Sequence, residues 1–118
     1  MVNRVTLLGR LGHDPELEQA GEQRIPHLQL RLAVEHRAGN ELVTDWIPVQ
    51  VWRDQAENCA RYLRKGQRVY VEGRLQNASW ETEGGRRSRL EVVASRVIFL
   101  ERPAGAPEEP EEEEAGEE

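Results

Sequence analysis

The chain is poor in several residue types. It has a single Cys, a single Phe, a single Met and two Tyr in 118 residues. One cysteine, Cys59, excludes an internal disulfide, and His13, His27 and His36 stand at no spacing that suits a zinc site. No apolar run approaches the roughly 18 residues that would cross a bilayer. Met1–Arg4 leads straight into an alternating pattern without a signal-peptide core, so a cytoplasmic protein is expected. No acidic cluster in the body, no His paired with a carboxylate and no phosphate-binding loop point to catalysis, so no enzyme, cofactor or metal is expected. Lysine is almost missing too: Lys65 is the only one beside 15 Arg.

Charge is unevenly spread. The whole chain carries −6, from 16 basic and 22 acidic groups. Residues 1–102 hold all 16 basic groups and 14 acidic ones, which makes +2, whereas residues 103–118 hold eight Glu and no base, which makes −8. An acidic total therefore describes the end of the chain, and it does not exclude a nucleic-acid partner for the body. Pro103, Pro107 and Pro110 among Ala, Gly and Glu offer nothing to bury, so residues 103–118 are expected to be a disordered acidic tail following one domain over 1–102. Beside a basic groove such a tail would compete with phosphates.

The body reads as strands. Val5, Leu7, Gly9 and Leu11 alternate with Arg4, Thr6, Leu8 and Arg10. After a turn-rich stretch from Gly12 to Pro26, Leu28, Leu30, Leu32 and Val34 alternate with Gln29, Arg31, Ala33 and Glu35. Strand character returns near Thr44, with Ile47, Val49 and Val51 on one face. A fourth strand spans Arg68–Leu75, with Val69, Val71 and Leu75 facing inward, and a fifth spans about Ser88–Leu100; Gly84-Gly85 marks the hairpin between them. Ala56, Cys59, Ala60 and Leu63 fall on one face of a helix, with Asp54 as expected N-cap and Gly66 as expected left-handed stop. Strand, strand, strand, helix, strand, strand is the order of an all-β, five-stranded OB-fold, a Greek-key barrel with one short helix between the third and fourth strands.

Parity sorts the candidate binding residues. A one-residue slip would turn Ile47, Val49 and Val51 to solvent, so Trp46 and Trp52 face outward, roughly 20 Å apart along an extended strand. Trp80 lies in the polar, basic hairpin before Arg86, Arg87 and Arg89. Arg4, Arg10, Arg31 and Arg74 also point away from the core, and Arg53 follows Trp52 directly. Aromatic rings that stack on bases, interleaved with cations that track phosphates, are what a single nucleic-acid strand requires. Cys59 reads as packing. Leu8 and Tyr70, facing outward, are candidate contacts between subunits.

The segments Asn3-Arg4-Val5-Thr6-Leu7-Leu8-Gly9-Arg10-Leu11-Gly12, Asp45-Trp46-Ile47-Pro48-Val49-Gln50-Val51-Trp52 and Tyr70-Val71-Glu72-Gly73-Arg74-Leu75 resemble bacterial single-stranded DNA-binding proteins, in order and spacing, over residues 2–100. The resemblance implies an OB-fold that coats single-stranded DNA in replication, recombination and repair, usually as a homotetramer, with a dimer as the other assembly. It places Trp46, Trp52 and Trp80 at base-stacking positions and Arg4 and Lys65 at basic positions near DNA. Where that family often carries another aromatic, this chain has Glu35-His36-Arg37-Ala38-Gly39, so one stacking platform is missing or is replaced by His36 or Arg37. The family's tail ends in an apolar tip with a terminal Phe. Here the sequence reads Glu113-Glu114-Ala115-Gly116-Glu117-Glu118, so docking of replication and repair proteins through that tip is not expected. The competing reading is a primosome-type adaptor that uses the same fold mainly for protein contacts.

Overall fold

Alternating apolar residues can close a sheet on itself, because one face of every strand then shares a single core. The computed structural model shows that closure and describes residues 1–101. The elements run β1 (Val5–Leu11), β2 (Glu18–Ala20), β3 (Ile25–Ala38), β4 (Glu41–Trp52), α1 (Arg53–Tyr62), β5 (Arg68–Thr82) and β6 (Gly85–Phe99). The wall follows the order β1-β5-β6-β4-β3, and β3 returns to β1 through Arg10–Ala33 and Leu11–Leu32. β4 and β6 pair in parallel at Val49–Val92 and Gln50–Val93. The other neighbours are antiparallel. The expected five strands therefore form the barrel. The expected tail at 103–118, and Arg102 before it, lie outside the described residues.

Leu28, Leu30 and Leu32 of β3, Val49 and Val51 of β4, and Val69 and Val71 of β5 are fully buried, as their parity predicts. Ala56 and Cys59 of α1, with Leu63 just beyond it, join the same core. Cys59 is thus a packing residue, in an environment that suits a small apolar side chain.

Four local expectations are corrected. The stretch read as turns contains β2, three residues paired with Ile25, Pro26 and His27 and too short to carry a hydrophobic period. Asp54 is not the N-cap: Trp52 occupies that position without a side-chain hydrogen bond, and Asp54 lies in the first turn, where a negative charge suits the positive end of the helix. Gly66 is not the helix stop. The helix ends at Tyr62, the extended Leu63 enters the core, and Gly66, at φ +90°, makes the turn into β5 with its N–H on the Leu11 carbonyl at 2.8 Å.

Fourth, Leu75 keeps its inward parity, opposite the buried Val92, but is 39 % exposed and no part of the core. The strands outrun the barrel: β3–β4 continues as a two-stranded ribbon to Gly39-Asn40, and β5–β6 to Glu83-Gly84. Ribbons with no buried face carry no sustained apolar alternation, which is why the sequence underestimates their length. Pairing passes from Glu72–Arg96 to Gly73–Ala94, so Ser95 is an extra residue in β6 and the ribbon bends away from the core just before Leu75.

Candidate nucleic-acid interface

The outward residues of β3, β4, β6 and β5 form one continuous face. β3 supplies Arg37, Arg31, Gln29 and His27; β4 supplies Trp46, Gln50 and Trp52. From the ribbon, β6 adds Arg87, Arg89 and Glu91, opposite Trp80, Ala78 and Gln76 of β5. Trp46, Trp52 and Trp80 remain 50 %, 39 % and 43 % exposed, a large apolar investment at the surface of a small barrel.

Each ring is held differently. Trp46 lies across the end of β1: a Cβ on Gly12 would fall 2.5 Å from Trp46 Cζ3, so the glycine gives the indole room to lie where it does. The Arg31 guanidinium stacks on the same ring at 5.6 Å. Trp52 pairs across the strands with His27, ring centroids 4.1 Å apart and planes inclined by 38°. Trp80 sits within regular β5 opposite Arg87, not in a loose loop, and Arg89 stacks on it at 5.7 Å.

A polar chain, buried at Gln50 and Glu91, runs between the tryptophans. Gln50 Nε2 donates to Gln29 Oε1 at 2.8 Å and to Glu91 Oε1 at 3.1 Å, while His27 Nε2 meets Gln50 Oε1 at 2.6 Å. Gln76 Nε2 donates to Glu91 Oε2 at 3.1 Å, and Arg89 Nη2 donates to Gln29 Oε1 at 3.1 Å. The sequence reading passed over His27, Gln29, Gln50, Gln76 and Glu91. Parity was the signal that could have found the first three, since they share strand faces with Arg31, Trp46 and Trp52.

The proposed cations divide. Arg31 and Arg89 lie against the rings, and Arg37 and Arg87 share the face by register. Arg74 follows on β5, reaching Gln76 Oε1 at 3.4 Å, and lines a shallow pocket with Asn3, Arg4 and Ser95. The Asn3 amide anchors that corner by exchanging two 2.9 Å hydrogen bonds with the Leu75 backbone. Three others are engaged elsewhere or stand apart. Arg10 donates to the Gly66 carbonyl at 2.9 Å, Arg86 pairs with Glu81 at 3.0 Å near the ribbon tip, and Lys65 is exposed in a loop whose backbone N–H is held by Asp14 at 2.7 Å. Arg53 starts α1 in the left-handed region, at φ +63°. Of the two stand-ins for the missing aromatic, Arg37 shares the Trp46 face, while His36 bonds Asp45 at 3.1 Å on the other side of the ribbon. Among the described residues no cluster of His, Cys, Asp and Glu is arranged to hold a metal ion.

A closed OB barrel that displays three exposed indoles between arginines defines an oligonucleotide-binding class of protein. The chain belongs to the single-strand binding protein family, whose model matches residues 2–100. It is 40 % identical to the single-stranded DNA-binding protein of Caldanaerobacter subterraneus, over 95 % of this chain and 80 % of that one. It is 38 % identical to that of Onion yellows phytoplasma, over 86 % and 96 %. With the relative from Halalkalibacterium halodurans it shares 44 % identity, over 90 % of this chain and 64 % of the relative. Among solved structures, the Plasmodium falciparum SSB complex with ssDNA superposes with a TM-score of 0.77 at 28 % identity, over 86 % of this chain and 96 % of that chain. The resemblance read in the sequence and the OB-fold are both borne out.

Proposed function

We propose that this chain binds and protects single-stranded DNA with little sequence preference in replication, recombination and repair, as a non-catalytic coat. The observation that carries this reading is the single face on which Trp46, Trp52 and Trp80 stand exposed, two of them already stacked by arginine. Bases would replace or extend those arginine stacks, and every base has a π-face, so sequence matters little. Arg31, Arg37, Arg87 and Arg89 run beside the rings to meet the backbone, with Arg4 and Arg74 continuing the path; Arg10, Arg53, Lys65 and Arg86 make outlying contacts. The chain acts in the cytoplasm, at the nucleoid. It assembles as a homotetramer, or failing that a dimer, for which Leu8 and its register partner Tyr70 on the far wall offer a self-complementary strip.

Titration with oligothymidylate tests this. Tryptophan emission is expected to be strongly quenched, and affinity to fall with salt by about 0.7 log units per log unit of salt for each phosphate contacted. Unchanged emission at low salt refutes the proposal.

A further inference from the structure

Among the described residues, Gln50 and Glu91 are the two buried polar side chains, and both belong to the face that carries the tryptophans. A buried amide at an outward strand position is expensive to keep, since an apolar residue of the same size would fill the space without a desolvation penalty. Gln50 uses three of the four hydrogen bonds open to an amide within the face: both Nε2 hydrogens donate, and Oε1 meets one partner.

The direction of every bond follows from the two ends of the chain. A carboxylate only accepts and a guanidinium only donates. Glu91 therefore requires the Gln50 amide nitrogen, and Arg89 requires the Gln29 carbonyl oxygen. Gln50 Oε1 is then left facing His27, so His27 Nε2 carries the hydrogen and donates it. One bond thus sets the tautomer and the plane of a ring whose centroid lies 4.1 Å from that of Trp52. In the other direction, Gln29 and Arg89 lead to the Trp80 ring. A path of hydrogen bonds and stacks joins two tryptophans on different strands.

We propose that Gln50 is a positioning residue: through His27 it holds the Trp52 ring in its binding orientation, and through Gln29 and Arg89 it couples that ring to Trp80. The inference rests on reading this face as a single-stranded DNA surface. A ring already oriented loses less freedom when a base stacks on it, which is how the network raises affinity without touching the ligand.

The test uses His27→Phe, which keeps a ring beside Trp52 but removes the donor, and Gln50→Met, which keeps the volume but removes the amide. A labelled oligothymidylate of about 16 nucleotides serves as probe, the upper end of the span for one OB barrel. Each substitution is expected to weaken binding about three- to tenfold, the range of one oriented hydrogen bond. The double variant is expected to lose no more than the worse single one, and His27→Phe is expected to have no effect in a Trp52→Ala background, because residues acting through one group are not additive. His27→Phe binding as tightly as the unsubstituted protein overturns the proposal, as do losses that multiply in the double variant or persist without Trp52. If Gln50→Met does not fold, His27→Phe with and without Trp52→Ala decides alone. Failure of the unsubstituted chain to bind the probe overturns the single-stranded DNA reading instead, so the two failures are distinct.

Discussion

Gly12→Ala separates the binding face from the barrel that supports it. Gly12 lies one residue beyond β1, under the Trp46 ring. An added Cβ would stand 2.5 Å from Trp46 Cζ3 and 3.2 Å from Cη2. Carbon atoms rest about 3.5–4.0 Å apart, so the tip of the ring must retreat by roughly 1 Å. The retreat is open to it, since half of Trp46 already faces solvent and the crowding atoms belong to the far end of a side chain rather than to backbone. What the fold loses is the Arg31 stack, about 0.5–1 kcal/mol at an exposed site. Stability is therefore expected to fall by about 1 kcal/mol or less in thermal unfolding. Binding is expected to fall further in proportion. Base stacking contributes about 1–3 kcal/mol per ring, and losing about 1 kcal/mol of it raises Kd about fivefold. Fluorescence anisotropy with labelled oligothymidylate measures the change, and Trp46→Ala marks its upper limit. A Gly12→Ala protein that binds normally while Trp46→Ala does not refutes the idea that this glycine seats the ring. A stability loss of several kcal/mol refutes the claim that the ring alone must move.

A glycine packed against backbone behaves in the opposite way. A Cβ on Gly73 would stand 2.2 Å from the Val93 carbonyl oxygen, and backbone at the β5–β6 bulge cannot step aside. Gly73→Ala is expected to destabilise the barrel by about 1–3 kcal/mol or more in urea unfolding, and a midpoint like that of the unsubstituted protein contradicts the crowded geometry. At the end of β6, Glu101 accepts from the Arg68 backbone N–H at 3.0 Å and from its Nε at 3.3 Å. The backbone hydrogen bond, aided by the charges of Arg68 and Arg10, holds the Glu101 carboxyl below its ordinary value of 4.5. A lowered folded-state value means that the clamp contributes fully above about pH 4.5 and is lost as pH falls through the lower folded value. Hydrogen exchange at the Arg68 amide is expected to lose protection across that window, and Glu101→Gln to show no such acid step; an identical step in both proteins contradicts the assignment.

Strand alternation alone was enough to place Leu28, Leu30, Leu32, Val49 and Val51 inside and Trp46 and Trp52 outside. Side-chain direction has a period of two, and a buried face pins the register, so these readings need no knowledge of neighbours. The order of strands and helix specified the barrel for the same local reason. Local pattern failed where pairing, not burial, makes the strand: in β2, and in the two ribbons beyond the barrel. It failed at Leu75 because the Ser95 bulge redirects the ribbon, at Asp54 because the helix already starts at Arg53 behind Trp52, and at Gly66 because the extended Leu63 enters the core and ends the helix early. Outward parity is also blind to position around a cylinder. Only closure of the barrel separates Arg31 and Arg89, stacked on indoles, from Arg10, turned to Gly66, although all three alternate outward. Parity turns His27, Gln29 and Gln50 outward, but only the tertiary structure brings β3, β4, β5 and β6 together, so nothing along the sequence joins them to one another or to Arg89. Hydrophobic period is written along one strand, whereas the interface is written across four.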